Sequence, residues 1–326
     1  MEKDRVMKTQ RAESEIQKFY GTLSNKAGMY YIFYTTGLLP FVIRALEGLD
    51  PYDNIALISS NLLKEERNFA DRYFPFPAVH INDDVDDKII WNALIKTNEY
   101  DFGWIDCDTF IIDTEIFNQL LSFKADTVIN GYWDFKFYGN NFVNTYLMTI
   151  NAGLIKKIPC TFDLYTDNRI VFPREKYAIR QPGESFKAIA DIYPLGLYPL
   201  GHVYDTSTFL QAYAHSKGYK TERIEFQNPM AGHCGGCYII AIIFKDKICF
   251  DEYKFNFHSL TPVLFGRALI DKYRHILPPS YRDFKERLDI KLEECNQHVV
   301  NATKKVLKMR RLPADVINLV GIGLKK

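Results

Sequence analysis

No stretch of the sequence approaches the roughly 18 consecutive apolar residues that a membrane span requires. The longest candidate, Tyr238–Phe244 (YIIAIIF), reads as a buried strand. The opening residues, MEKDRVMKTQRAESEIQKFY, are charged throughout, unlike a secretory leader. Cysteine is sparse: six residues among 326 cannot make a disulfide framework, so a reducing, cytoplasmic setting is expected. Net charge is also nearly absent, at +1, and without a basic field nucleic acid is not an expected partner. No G-x-x-x-x-G-K-[ST] occurs and no G-x-G-x-x-G follows the first strand, which argues against a kinase, an ATPase or a simple dehydrogenase. What is present is ordinary for a globular protein, 47% apolar and 25% charged, in a length that suits one large domain or two smaller ones. The 24 Phe and 21 Tyr fill cores, and such rings also line sugar and base sites.

Periodicity predicts a regular first half. Residues 1–25 read as a charged, weakly amphipathic peripheral helix. Strands are expected at Met29–Thr36, Asn54–Ser60 and Ala78–Asn82, separated by helices at Leu39–Leu49, Lys64–Phe74 and Asp86–Tyr100. Three strand–helix alternations imply right-handed crossovers and a mostly parallel sheet with helices on both faces. A fourth strand follows in DFGWIDCDTFIID, Asp101–Asp113. Later segments predict a strand at Thr127–Phe135, a turn at Asn151–Gly153, a long loop region over 159–200, a helix at Asp205–Tyr219 with Asp205 as N-cap and Gly218 as C-cap, and a strand at Lys220–Phe226.

The fourth strand poses a chemical problem. Phe102, Trp104, Ile105, Phe110, Ile111 and Ile112 call for burial, whereas Asp106 and Asp108 are two like charges on one side of an extended chain. Burying either without a partner is costly, and a divalent cation relieves both penalties. The alternative is a strand that ends at Ile105, with both carboxylates solvated in a turn. In parallel α/β sheets ligands sit beyond the carboxyl ends of the strands, where this pair falls, and that favours the cation.

The order of these features resembles the GT-A class of nucleotide-sugar glycosyltransferases over residues 28–260. It rests on the D-x-D sequence Asp106-Cys107-Asp108 after an aromatic strand, the NAG triplet Asn151-Ala152-Gly153, the helix led by Tyr204-Asp205, and His258 in FNFHSL. The resemblance implies an α/β, GT-A-like (Rossmann-related) fold: a mixed, mostly parallel sheet flanked by helices in a catalytic domain over 26–262, with a C-terminal helical extension over 263–326. It implies metal-dependent transfer from a nucleotide sugar, a UDP-sugar being favoured, to a carbohydrate or glycan hydroxyl. Asp108 would ligate the metal, and Asp106 would reach the ribose or the ion. His258 would be a further ligand, with His233 as second choice, and Asn151, Ala152 and Gly153 would line the donor sugar. Asp205 would be the catalytic base, although the family segment often reads Glu-Asp where this chain has Tyr-Asp. Tyr34, Thr35, Thr36, Ser60, Asn61 and Lys88 are candidates for the nucleotide. The ion would be Mn²⁺ or Mg²⁺, with imidazole tilting the choice to Mn²⁺. The alternatives are a sugar-nucleotide nucleotidyltransferase and a non-catalytic nucleotide-sugar-binding module.

Two features lie outside that scheme. His233, Cys234 and Cys237 in GHCGGC offer half of a zinc site or a redox pair, or else form a Gly-rich loop beside the active site. A heptad seam (Leu288, Leu292, Cys295, Val299, Ala302, Val306, Met309) predicts a helix over Tyr281–Arg311, followed by a basic tail. Three uses compete in this order: packing on the chain's own sheet, pairing in a homodimer, and peripheral contact with anionic lipid at the inner face of a membrane, which would suit a lipid-linked acceptor.

Overall fold

The computed structural model of the chain describes residues 2–49, 54–137, 140–158, 217–255 and 257–295, together with residues 207, 210, 211, 214, 215, 300, 301 and 303. In chain order the elements are α1 (Glu2–Thr22), β1 (Tyr30–Thr35), α2 (Leu39–Leu46), β2 (Ile55–Ser60), α3 (Lys64–Tyr73), β3 (Ala78–Ile81), α4 (Asp87–Thr97), β4 (Phe102–Asp106), β5 (Thr109–Ile111) and α5 (Glu115–Leu120). There follow β6 (Thr127–Gly131), β7 (Asp134–Phe137), β8 (Asn140–Val143), β9 (Leu147–Ile150), α6 (Ala152–Ile155), β10 (Lys220–Arg223), β11 (Ala231–His233), α7 (Tyr238–Lys245), α8 (Lys247–Glu252), α9 (Phe257–Tyr273) and α10 (Pro279–Glu293). The fold is α/β, with seven strands in a mixed, mostly parallel sheet flanked by helices, as in Rossmann-like folds. Two compact units divide the chain. The first comprises Met1–Tyr31, Asp83–Ile105 and Phe117–Glu225, and the second Ile32–Asn82, Asp106–Ile116 and Phe226–Lys326.

In the first unit the strand order is β10-β6-β9-β4. β10 runs parallel to β6, whereas β9 is antiparallel to both β6 and β4. β4 is buried on both faces, and Tyr30 lies so close over Gly103 that an added Cβ would meet the ring at 2.1 Å, so only glycine fits there. Trp91 of α4 stacks on Trp104 of β4 with centroids 4.6 Å apart. Asp86 caps α4 by accepting from the Ile89 N–H at 3.1 Å. α1 packs on α4 through a stripe containing Ala12, Ile16, Phe19 and Tyr20. Two ion pairs tie its polar side down, Arg11 to Asp83 at 2.7 Å and Lys96 to Glu13 at 2.5 Å. A helix that looks merely charged in sequence therefore has a continuous buried edge.

In the second unit β2 runs parallel to β3, with Ser59 opposite His80 and Ser60 opposite Ile81. β5 pairs antiparallel with β11. The segment Tyr238–Phe244, expected as a strand, is the helix α7. Ile239, Ile240, Ala241 and Ile243 are buried while Tyr238 and Ile242 are exposed, so burial does not alternate. A short apolar run does not distinguish helix from strand by periodicity alone. α10 buries Tyr281, Phe284 and Leu288, spaced three and four apart. Tyr281 Oη donates to the buried carboxylate of Glu66 at 2.5 Å, and Glu66 also accepts from the Gly37 N–H at 2.8 Å and the Leu63 N–H at 2.9 Å. The start of the expected seam thus packs within its own chain, while the seam residues beyond Cys295 lie outside the described residues, as do the 159–200 segment and Asp205. Gly218 has φ +82°, the left-handed conformation expected of its C-cap position.

Candidate metal centre

β4 ends at Asp106, the chain turns through Cys107 and Asp108, and β5 begins at Thr109. The two carboxylates are therefore not both within a strand. Neither are they solvated: Asp108 is only 2% exposed, and Asp106 is half-buried. β11 supplies the third member. Its register sets His233 opposite Thr109, and the Cys234 N–H donates to Asp108 O at 3.0 Å. His233 Nε2 then lies 3.1 Å from Asp108 Oδ1. Asp106, Asp108 and His233 each offer a ligand atom within 4.8 Å of the others, the one such group among the described residues.

The donor set suits a divalent cation. Ligands on opposite sides of an ion, each about 2.1 Å from it, are roughly 4.2 Å apart, so small rotations would close the cluster. Asp108 Oδ2 is buried and has no hydrogen-bond partner, a costly arrangement that a bound cation would relieve. Burial pushes the Asp108 carboxyl up, but the adjacent His233 and contacts from Cys237 together outweigh it and hold the group below its usual value. An ionised carboxylate is the form that binds metal.

Cys107 Sγ contacts Cys237 Sγ at 3.6 Å. The Cys107 thiol is pushed up, since burial and the Asp108 and Asp106 charges overcome the lowering effect of that contact. The Cys237 thiol is pushed well above its usual value by the same contact and by burial. These are neutral thiols packed beside the carboxylates, and the described residues draw no Cys/His zinc group together. Gly235 and Gly236, both at φ +80°, turn the chain from His233 into α7.

The other candidate residues fall in different places. Thr35 Oγ1 donates to Ser60 O at 2.9 Å, and Thr36 Oγ1 donates to Asn61 O, so the carboxyl ends of β1 and β2 are stitched together. Asn61 has φ +53°, the one positive value for a non-glycine among the described residues. Tyr34 is a core residue, edge-on to Phe74, with its phenol pushed up by burial. In the first unit, Lys88 is buried on α4 rather than solvated. Asn151 caps α6 by accepting from the Leu154 N–H at 3.0 Å, Ala152 is buried and donates to Asp101 Oδ1 at 2.8 Å, and Gly153 is exposed. His258 lies on α9, but its side chain is outside the described residues.

One constellation escaped sequence reasoning. Ser59 Oγ is 2.6 Å from His80 Nδ1, and His80 Nε2 is 2.9 Å from Asp71 Oδ1. The residue types match a nucleophilic triad, yet Ser59 is 1% exposed and cannot meet a substrate. The chain of contacts links β2, β3 and α3.

Residues 6–155 match the family model of the StrH glycosyltransferase N-terminal domain. No curated protein matches the chain. The matched span includes Asp106 and Asp108, and it supports a transferase acting in glycosyl transfer. No described helix is long and apolar enough to cross a membrane.

Proposed function

We propose that the protein is a GT-A-type glycosyltransferase that moves a sugar from a nucleotide sugar, a UDP-sugar in the favoured reading, to an acceptor hydroxyl, with a divalent cation held by Asp106, Asp108 and His233. The observation that carries this reading is the unpartnered, buried Asp108 Oδ2 within a three-residue oxygen and nitrogen donor set. A divalent cation there would offset the charge that builds on a departing nucleoside diphosphate. The imidazole in the set favours Mn²⁺ over Mg²⁺. The chain's own residues do the rest. β11 holds His233 against Asp108, the Cys234 N–H fixes the Asp108 backbone, and Thr35, Thr36, Ser60 and Asn61, at the stitched ends of β1 and β2, are the residues proposed to meet the nucleoside. Asp205 is the proposed base that takes the acceptor hydroxyl's proton.

Calorimetry with UDP, with and without Mn²⁺, tests the reading. UDP affinity is expected to rise markedly with the metal. Absence of UDP binding under both conditions would refute the UDP-sugar assignment. Equal binding with and without Mn²⁺ would favour a non-catalytic nucleotide-binding module. Release of pyrophosphate from a nucleoside triphosphate and a sugar phosphate would favour the nucleotidyltransferase.

A further inference from the structure

Helix α7 connects two parts of the second unit that the sequence left unrelated. At its start is Cys237, whose sulfur touches Cys107, the residue between Asp106 and Asp108. Its last turn rests on the loop after β1. Gly37, at φ +89°, lies under Phe244 so tightly that an added Cβ would come within 2.8 Å of Phe244 Cβ. Lys245 Nζ donates to Thr35 Oγ1 at 3.0 Å. Because the Thr35 hydroxyl gives its proton to Ser60 O, its oxygen is free to accept from the ammonium. An exposed cation is thus fixed at the carboxyl end of β1, where Thr35 is tied to Ser60 of β2. The eight residues of α7 rise about 12 Å. The Lys245 backbone therefore lies about one short helix from Cys237, which touches the residue between the two carboxylates. Thr35 is among the residues assigned above to the nucleoside, so in that reading the ammonium is fixed at the nucleoside end of the site rather than at the carboxylates that would hold the ion.

From this geometry we propose that Lys245 is a specificity-determining residue that donates a hydrogen bond to a carbonyl oxygen of the donor's base and does not touch the diphosphate. The proposal rests on the nucleotide-sugar reading above. An ammonium only donates, so it favours a carbonyl-bearing base such as uracil over adenine, whose acceptors are ring nitrogens placed differently from a pyrimidine carbonyl. The test compares UDP, ADP and inorganic pyrophosphate, each with Mn²⁺, by calorimetry on the wild-type protein, Lys245→Met and Lys245→Arg. Lys245→Met is expected to weaken UDP by about ten- to a hundredfold, the loss of one charge-assisted hydrogen bond, while ADP and pyrophosphate change less than about twofold. Lys245→Arg should retain part of the UDP preference. Unchanged UDP affinity in Lys245→Met, or a parallel loss for pyrophosphate, would overturn the proposal. A wild-type protein that binds no UDP would instead defeat the underlying functional reading. If Lys245→Met folds poorly, Lys245→Ala, which also lacks a donor, gives the same UDP-to-ADP ratio, which is independent of the folded fraction.

Discussion

Replacing Asp108 by Asn removes one charge from the cluster while preserving the side chain's shape and its ability to accept from His233. Two carboxylate charges 4.8 Å apart repel by about 3 kcal/mol at an effective dielectric constant of about 20. Without metal, the substitution relieves repulsion of at most that order and keeps an acceptor for His233, so the melting temperature should rise by no more than a few degrees. With metal the balance changes. A cation at a hundred times its dissociation constant stabilises the wild-type protein by about 2.7 kcal/mol, several degrees of melting temperature for a chain of this size. Asp108→Asn should lose most of that gain, because a missing charged ligand lowers affinity by at least the hundredfold seen for weaker perturbations of metal sites. The assay is thermal unfolding across an MnCl2 titration, supported by calorimetric Mn²⁺ binding. An Mn²⁺-induced shift as large in Asp108→Asn as in the wild type would refute the placement of the ion. A wild-type protein that shows no shift at millimolar Mn²⁺ would refute the metal centre itself.

Three further outcomes are expected. His233→Gln should abolish the Mn²⁺ shift while His258→Gln preserves it; the opposite result would move the third ligand to α9. Asp205→Asn should leave UDP binding within a fewfold and lower turnover by roughly 10²–10⁴, whereas near-normal turnover or a product with retained anomeric configuration would remove the need for this base. His215, hydrogen-bonded to Thr221 Oγ1 at 3.1 Å, has its pKa lowered by burial from 6.5 to about 4. The unfolded chain takes up that proton first, so stability should fall as pH drops from about 6.5 to 4, by at most about 3 kcal/mol and less after solvent screening. His215→Gln should flatten this acid limb in pH-dependent denaturant unfolding, and an unchanged limb would show that other groups control it.

Much of this protein is legible in its sequence because the controlling interactions are local. Hydrophobic period predicts α4 and the early strands, and Gly218 its left-handed stop, without any long-range information, because each depends on neighbours within a few residues. The conflict between Asp106, Asp108 and their apolar surroundings is equally local, and it marks the candidate site. Tertiary structure decided the rest. His233 joins the two carboxylates through the pairing of β11 with β5, a contact between distant segments that no spacing rule encodes. The same holds for His80 beside Ser59, for Tyr281 on Glu66 and for Lys245 on Thr35. Tyr238–Phe244 could satisfy its apolar content as a strand or as a helix. The helix prevails because that geometry buries Ile239, Ile240 and Ile243 together and sets Phe244 over Gly37. Residue types announce which chemistry a chain can hold, but the long-range register of strands and helices selects which of those groups meet.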